Sequence, residues 1–267
     1  MAEAKSKKII ICADDFGMNS SIDAAVLHLA ELGRLNATSC LVEGPAFEAD
    51  AAALKNSGLQ MGLHLNFTES MGQPGWYRPV SQLIVQAWLR RLDTNLLRGQ
   101  IVRQLDRFEQ TLAQAPDFVD GHQHVHQFPQ IRETLLAELE RRYAQRRPWL
   151  RSTCTRLRSG MPVALQVKAK IIELLGAHRF ARLAGRYGFV FNSGFLGAYD
   201  FRGGEAAYQN LLSRWLAQAR AGDVLMCHPA LQLVSGDGLG AQRVAEYRVL
   251  AGDQAGVWMT ERDLTLV

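Results

Sequence analysis

Short apolar runs alternate along this chain with longer stretches in which apolar positions recur every three or four residues, the signature of strands interleaved with amphipathic helices. Residues 8–13 read as a buried strand, followed at once by Asp14-Asp15-Phe16-Gly17. Ser20 and Asp23 have the Ser-x-x-Asp form of a capping box, the pattern onward to Leu32 is helical, and Gly33 is placed as its stop. Residues 37–42 predict a second strand, 47–55 a short alanine-rich helix, and 60–67 a third strand carrying His64 near its end. Residues 71–79, rich in glycine, proline and aromatics, predict an irregular insertion. Helical patterns over 80–92 and 95–114 lead to a strand over 117–119, and Pro129 opens a helix through Arg146. Further on come a strand over 149–153, a helical 163–187 broken near Gly176, and a strand over 188–192. An amphipathic 205–220, an apolar strand over 223–227 and a last helix over 242–250 complete the pattern.

Strands that alternate with helices imply right-handed crossovers and a mainly parallel sheet. About seven such units predict an α/β fold, a (β/α) barrel-like architecture of the distorted or incomplete TIM type. With 267 residues and 48% hydrophobic content the chain can bury a full core, and residues 1–267 are expected to form one domain without repeats or linkers. No apolar run approaches the roughly 20 residues of a membrane span, and the start is too short for a signal-peptide core, so no membrane span and a cytoplasmic location are expected. Cys12, Cys40, Cys154 and Cys227 form no Cys-x-x-Cys pair and predict free, mostly buried thiols in a reducing compartment. The net charge of +4 owes much to Arg141, Arg142, Arg146, Arg147, Arg151, Arg156 and Arg158, expected to lie on a solvated helix face. With no recognisable module or stacking aromatics beside them, no nucleic-acid partner is expected.

Asp120-Gly121-His122-Gln123-His124-Val125-His126 holds three of the seven histidines. In an extended backbone the period of two would put all three imidazoles on one side, where they could share a cation; the plainer alternative is a polar loop whose histidines hydrogen-bond. Asp14 and Asp15, His64, this cluster and His228 all fall at predicted strand carboxyl ends, the rim where α/β folds build their sites. Two imidazoles and one carboxylate, supplied by Asp15, His64 and His122, make a catalytic metal site with open positions. Asp14, turned the other way, would be the base, and His228, fixed by Pro229, the acid. Against this, the aspartates could serve turn chemistry and His64 could be a satisfied core histidine. His124 and His126, with Asp120, could support ligands, touch substrate or replace His122. Trp76 and Tyr77 are candidate sugar-stacking residues, whereas His28 and His178 read as structural. Imidazoles favour zinc, cobalt or nickel, and an oxygen-rich hydrated shell would suit magnesium.

Ala13-Asp14-Asp15-Phe16-Gly17, Gly62-Leu63-His64-Leu65, the 120–126 cluster with Phe128-Pro129, and His228-Pro229 occur in an order that resembles the YdjC-like, or chitooligosaccharide-deacetylase-like, carbohydrate deacetylases, a group that includes proteins associated with hopanoid biosynthesis. The resemblance spans nearly the whole chain, although 141–187 carries no matching motif. It implies a (β/α) barrel-like fold and metal-dependent removal of an acetyl group from an N-acetylated sugar. By position it makes Asp14 the base, Asp15, His64 and His122 the metal ligands, and His228 the candidate acid. Gly121 stands where the family often has serine, and Ala230 where it often has glycine. The expected protein is therefore a carbohydrate N-deacetylase using one divalent ion, magnesium, zinc or cobalt, with a homodimer as the default assembly. One rival keeps the two histidines and carboxylate for another reaction, such as a non-haem iron oxygenase, but the pattern lacks the consecutive strands of a jelly roll. The other is a sugar- or metal-binding relative without activity, which would have no need of a spare carboxylate beside the ligand.

Overall fold

A computed structural model describes residues 6–155 and 161–266. Its sheet is organised about β1 (Lys7–Phe16), an apolar strand whose last six residues are buried. β1 pairs in parallel with β2 (Ala37–Cys40) on one side and β7 (Asp223–Cys227) on the other. Beyond β2 lie β3 (Gln60–Leu65), β4 (Phe118–Gly121) and β5 (Trp149–Leu150); beyond β7 lies β6 (Gly194–Leu196). The order β5-β4-β3-β2-β1-β7-β6 is parallel throughout and curls into an incomplete barrel, as the alternating pattern predicts. The two ends of the path meet at one point, where Leu150 bridges Phe191. A further strand, β8 (Leu264–Leu266), pairs with the start of β1.

Helices connect successive strands: α1 (Ser20–Glu31), α2 (Phe47–Asn56), α3 (Val80–Trp88), α4 (Thr94–Leu112), α5 (Ile131–Arg142), α6 (Val163–Leu174), α7 (Ala177–Arg186) and α8 (Gly204–Gln218), with α9 (Gly240–Ala251) and α10 (Asp253–Glu261) after β7. Although α6 leaves Val163, Val167, Ile171 and Leu174 exposed, most bury an apolar stripe against the core. α4, for example, buries Leu97, Ile101, Leu105, Phe108 and Leu112, a spacing of three or four that lies along one face. Among the described residues no helix is long and apolar enough to cross a membrane. All four cysteines are free, and only Cys154 is not buried.

Several local expectations are corrected. Asn19, not Ser20, caps α1, accepting from the Ser21 and Ile22 amides, and Asp23 instead accepts from the Gly17 amide at 2.6 Å. The strand expected over 188–192 is reduced to the single bridge at Phe191. There the Asn192 side chain takes over the ladder, accepting from the Ser152 amide at 2.7 Å and donating to the Ser152 and Gly194 carbonyls, so regular pairing begins at Gly194. The solvated arginine face holds for Arg141 and Arg146, whereas Arg142 and Arg147 are half-buried in pairs with Asp106, Glu109 and Glu140. It fails for Arg151, whose side chain is fully buried, while Arg156 and Arg158 lie outside the described residues. The histidine cluster is not extended either: after β4 the chain coils through His122–Gln127 in a tight turn, with Gln123 and His124 left-handed at φ 53° and 59°.

Two glycines test this packing with opposite signs. A Cβ at Gly62 on β3 would stand 2.3 Å from the Phe118 ring, so Gly62→Ala should destabilise the protein by about 1–3 kcal/mol through overpacking. Gly99, exposed within α4 with open space around it, should give about 1 kcal/mol of added stability as alanine. Denaturant midpoints of the two variants check both signs.

Candidate metal centre and cleft

The site is built at the carboxyl ends of the strands, beginning with an irregularity in β1. Ala13 pairs with Thr38 but Phe16 with Cys40, so β1 has one residue more than β2 across this step. The extra length is taken up at Asp14 and Asp15, the latter at φ 72°, a left-handed conformation that aspartate tolerates better than most residues. The two carboxylates are thereby aimed apart. Asp14 faces Arg151, with contacts of 2.6 and 2.7 Å to its two oxygens, and Asp15 faces His122 and Arg243.

Around Asp15 three donors converge. Its Oδ1 lies 3.4 Å from His64 Nε2 and 3.0 Å from His122 Nδ1, while Oδ2 accepts from Arg243 at 2.6 Å. Two donors held about 2.1 Å from one ion at tetrahedral or octahedral angles stand about 3.0–3.4 Å apart, so these separations fit a shared divalent ion. His64 is oriented for it: Nδ1 faces Asp120 at 2.7 Å, which leaves Nε2 toward Asp15. His122 Nε2 faces Glu69 Oε1 at 3.2 Å, so it presents Nδ1. A second close-set group, Asp14, His64 and Asp120, fits a cation less well, because Arg151 already occupies both of its carboxylates.

Electrostatics follow from these contacts. Burial alone would push the His64 imidazole down, but Asp120 and Asp14 beside it hold it up at about 10; burial is likewise outweighed at His122, which Asp15 and Glu69 hold at about 9. Against burial, Arg243 and His122 keep Asp15 well below the usual carboxylate range, and Arg151 and His64 do the same for Asp120. On the far side of Asp14, His228 Nε2 stands 4.0 Å from Oδ2, and burial pushes this imidazole down to about 4. The turn at His228 is held by Glu246, which accepts from the His228 amide at 2.6 Å and from the Tyr199 hydroxyl at 2.5 Å. A cleft of about 750 Å³ opens above these groups, walled by Lys168 and Ile172 of α6, Phe201, and the 234–239 loop. Paired carboxylates, imidazoles and the Arg243 guanidinium line its floor.

A family model of the YdjC-like proteins matches residues 8–261. The chain belongs to the YdjC-like family. Among its relatives, the carbohydrate deacetylase of Vibrio vulnificus is 27% identical over 96% of this chain and 93% of its own length. The carbohydrate deacetylase of Mus musculus is 27% identical over 97% of this chain and 93% of its own. A crystal structure from Enterococcus faecalis superposes with a TM-score of 0.71, covering 98% of this chain and 97% of that one at 19% identity, a likeness of fold.

In this YdjC-like protein the departures at Gly121 and Ala230 are local. A Cβ at Gly121 would press within 3.0 Å of His126, and Ala230 is buried without a left-handed backbone that would demand glycine. The histidine cluster divides its tasks. His122 joins Asp15; His124 lines the cleft, edge-on to Phe195; His126 lies outside the metal group, donating from Nε2 to the Arg151 carbonyl at 2.9 Å and packing on Phe180. Trp76 and Tyr77 are not among the residues lining the cleft: Trp76 packs on Phe67, and the Tyr77 hydroxyl donates to Glu43. Sequence reasoning missed Arg151, Arg243, Glu69, Glu246 and Ser39, whose hydroxyl donates to Asp120 and lies 3.0 Å from His64 Nδ1. Arg151 fell within the strand expected over 149–153 but was read with the solvated arginines.

Two outcomes test this arrangement. Arg151→Met leaves Asp14 and Asp120 buried without their partner and should cost about 3–5 kcal/mol of stability in denaturant titration. Because His64 and His122 are raised, each holds a proton below its pKa that a cation must displace. Apparent divalent-metal affinity should therefore rise as pH increases from about 6 to 9, by about tenfold or more per unit, with proton release seen as a buffer-dependent heat in calorimetry.

Proposed function

We propose that this chain is a metal-dependent carbohydrate N-deacetylase, hydrolysing the acetamide of an N-acetylated amino sugar to acetate and a free amine. The observation that carries this reading is a carboxylate separate from the metal group: Asp14 Oδ2 lies 4.0 Å from both His64 Nε2 and His228 Nε2, between the Asp15, His64 and His122 set and the opposite imidazole. A hydrolase needs a carboxylate beside the metal group to take the proton of water, and Asp14 holds that position while paired with Arg151. The near full-length match to carbohydrate deacetylases supports the same reaction class.

A divalent ion at Asp15, His64 and His122 would polarise the acetamide carbonyl and lower the pKa of a water. The donor set, two imidazoles and one carboxylate, suits zinc or cobalt better than magnesium. Asp14 takes the proton of the attacking water. Arg151, bonded to both Asp14 oxygens, fixes that carboxylate's orientation, and Arg243 does the same for Asp15. His228, which burial lowers to about 4 and so keeps neutral, receives the water's proton from Asp14, 4.0 Å away, and delivers it to the nitrogen as the C–N bond breaks. The proposal takes residues 1–267 as one such domain, acting in the cytoplasm as a homodimer.

Acetate release from a panel of N-acetylated mono- and disaccharides tests the reading, with chelated protein and protein reloaded with zinc, cobalt, manganese or magnesium. Release should vanish with chelation and return with one ion. Asp14→Asn should lower turnover by about a hundred- to ten-thousandfold with metal content unchanged, whereas His122→Gln should lose metal as well. Turnover that survives Asp14→Asn in fully loaded protein would remove the base, and absence of release from every substrate and ion would remove the activity.

A further inference from the structure

Deacetylation leaves one constellation of reactive side chains unused. Cys154 lies on the extended segment after β5, with Sγ 3.6 Å from His178 Nδ1 on α7. The other ring nitrogen of His178 stands 2.5 Å from Glu173 Oε1 on α6. Glu173 is itself buried and anchored, accepting from the Thr155 amide at 3.1 Å, the Thr155 hydroxyl at 2.9 Å and Lys170 Nζ at 2.6 Å. A thiol, an imidazole within its reach and a fixed carboxylate behind the imidazole have the relationship of nucleophile, base and orienting group. Cys154 is also the only cysteine of the four that is not buried, and the His178 side chain is 63% exposed, so a reagent can reach the pair. Burial pushes the Cys154 thiol up, so this sulfur stays protonated until a base takes its proton.

We propose that Cys154 is a site of thiol–disulfide exchange with low-molecular-weight disulfides, with His178 as its base and Glu173 as the residue that positions His178. The Cys154 proton passes to His178 Nδ1, and the imidazolium is held by the Glu173 carboxylate. The sulfur attacks one sulfur of the disulfide, a new S–S bond forms, the old one breaks, and the second half leaves as a thiolate that takes up a proton. Cys154 is thereby oxidised to a mixed disulfide, and one sulfur of the external disulfide is reduced to a free thiol.

The test treats the reduced full-length protein with an aromatic disulfide that releases a coloured thiolate, and maps the modified peptide by mass. One rapid equivalent per chain is expected, at Cys154, with Cys12, Cys40 and Cys227 reacting only after unfolding. His178→Ala and His178→Gln, changes at an exposed side chain whose retained fold circular dichroism checks, should slow that phase by about tenfold or more, while the unfolded variants react at the wild-type rate. A rapid equivalent at another cysteine, no rapid equivalent, or an unchanged rate in both His178 variants overturns the proposal. The mapping needs no variant, so it stands even where a substitution disturbs α7.

Discussion

Arg151 donates to both oxygens of Asp14 and lies 2.8 Å from Asp120, with none of its side chain exposed. These three charges come from the ends of β5, β1 and β4, and each would be costly to bury alone. Held together they lock three strand ends at the carboxyl rim of an open sheet. The guanidinium is suited to this because its planar fork can satisfy two carboxylates at fixed angles, which an ammonium cannot. The rest of the floor inherits that placement: Asp120, held by Arg151, holds His64 Nδ1, and His64 then presents Nε2 to Asp15.

The floor contains three buried carboxylates, Asp14, Asp15 and Asp120, and two permanent cations, Arg151 and Arg243. They leave one negative charge, to which Glu69 beside His122 adds a second, and protons on His64 and His122, both raised by their acidic neighbours, balance the two. Such a site offers a cation two imidazoles at the cost of two protons, which couples loading to pH rather than to any large rearrangement. Arg243 also reaches Asp237 at 2.8 Å, so the 234–239 loop at the lip of the cleft is tied by one side chain to the carboxylate at its base.

Backbone geometry gives neighbouring residues different tasks. The extra residue in β1 and the left-handed Asp15 aim adjacent aspartates at different partners. The left-handed Gln123 and His124 break the strand that would have lined three imidazoles on one side, and so release His126 to brace the segment carrying Arg151. A local pattern of alternating histidines therefore becomes one member of the metal group, one wall of the cleft and one structural brace.

The sequence by itself determined the alternation of strands and helices as far as α9, though with the sixth strand set too early, the parallel sheet, and the position of Asp14, Asp15, His64, His122 and His228 at one rim. Those features depend on periodicities of two and three to four residues and on chain direction, which are local. Only the tertiary structure decided which charges those residues would meet. Arg151 contacts Asp14 across 137 residues and Arg243 contacts Asp15 across 228, and both contacts follow from the curl of the sheet and the docking of α9 beside it. An arginine destined for full burial has the same local pattern as one on a solvated face. The backbone torsions that separated the three clustered histidines were equally hidden, because a left-handed residue that is not glycine leaves little mark in the sequence.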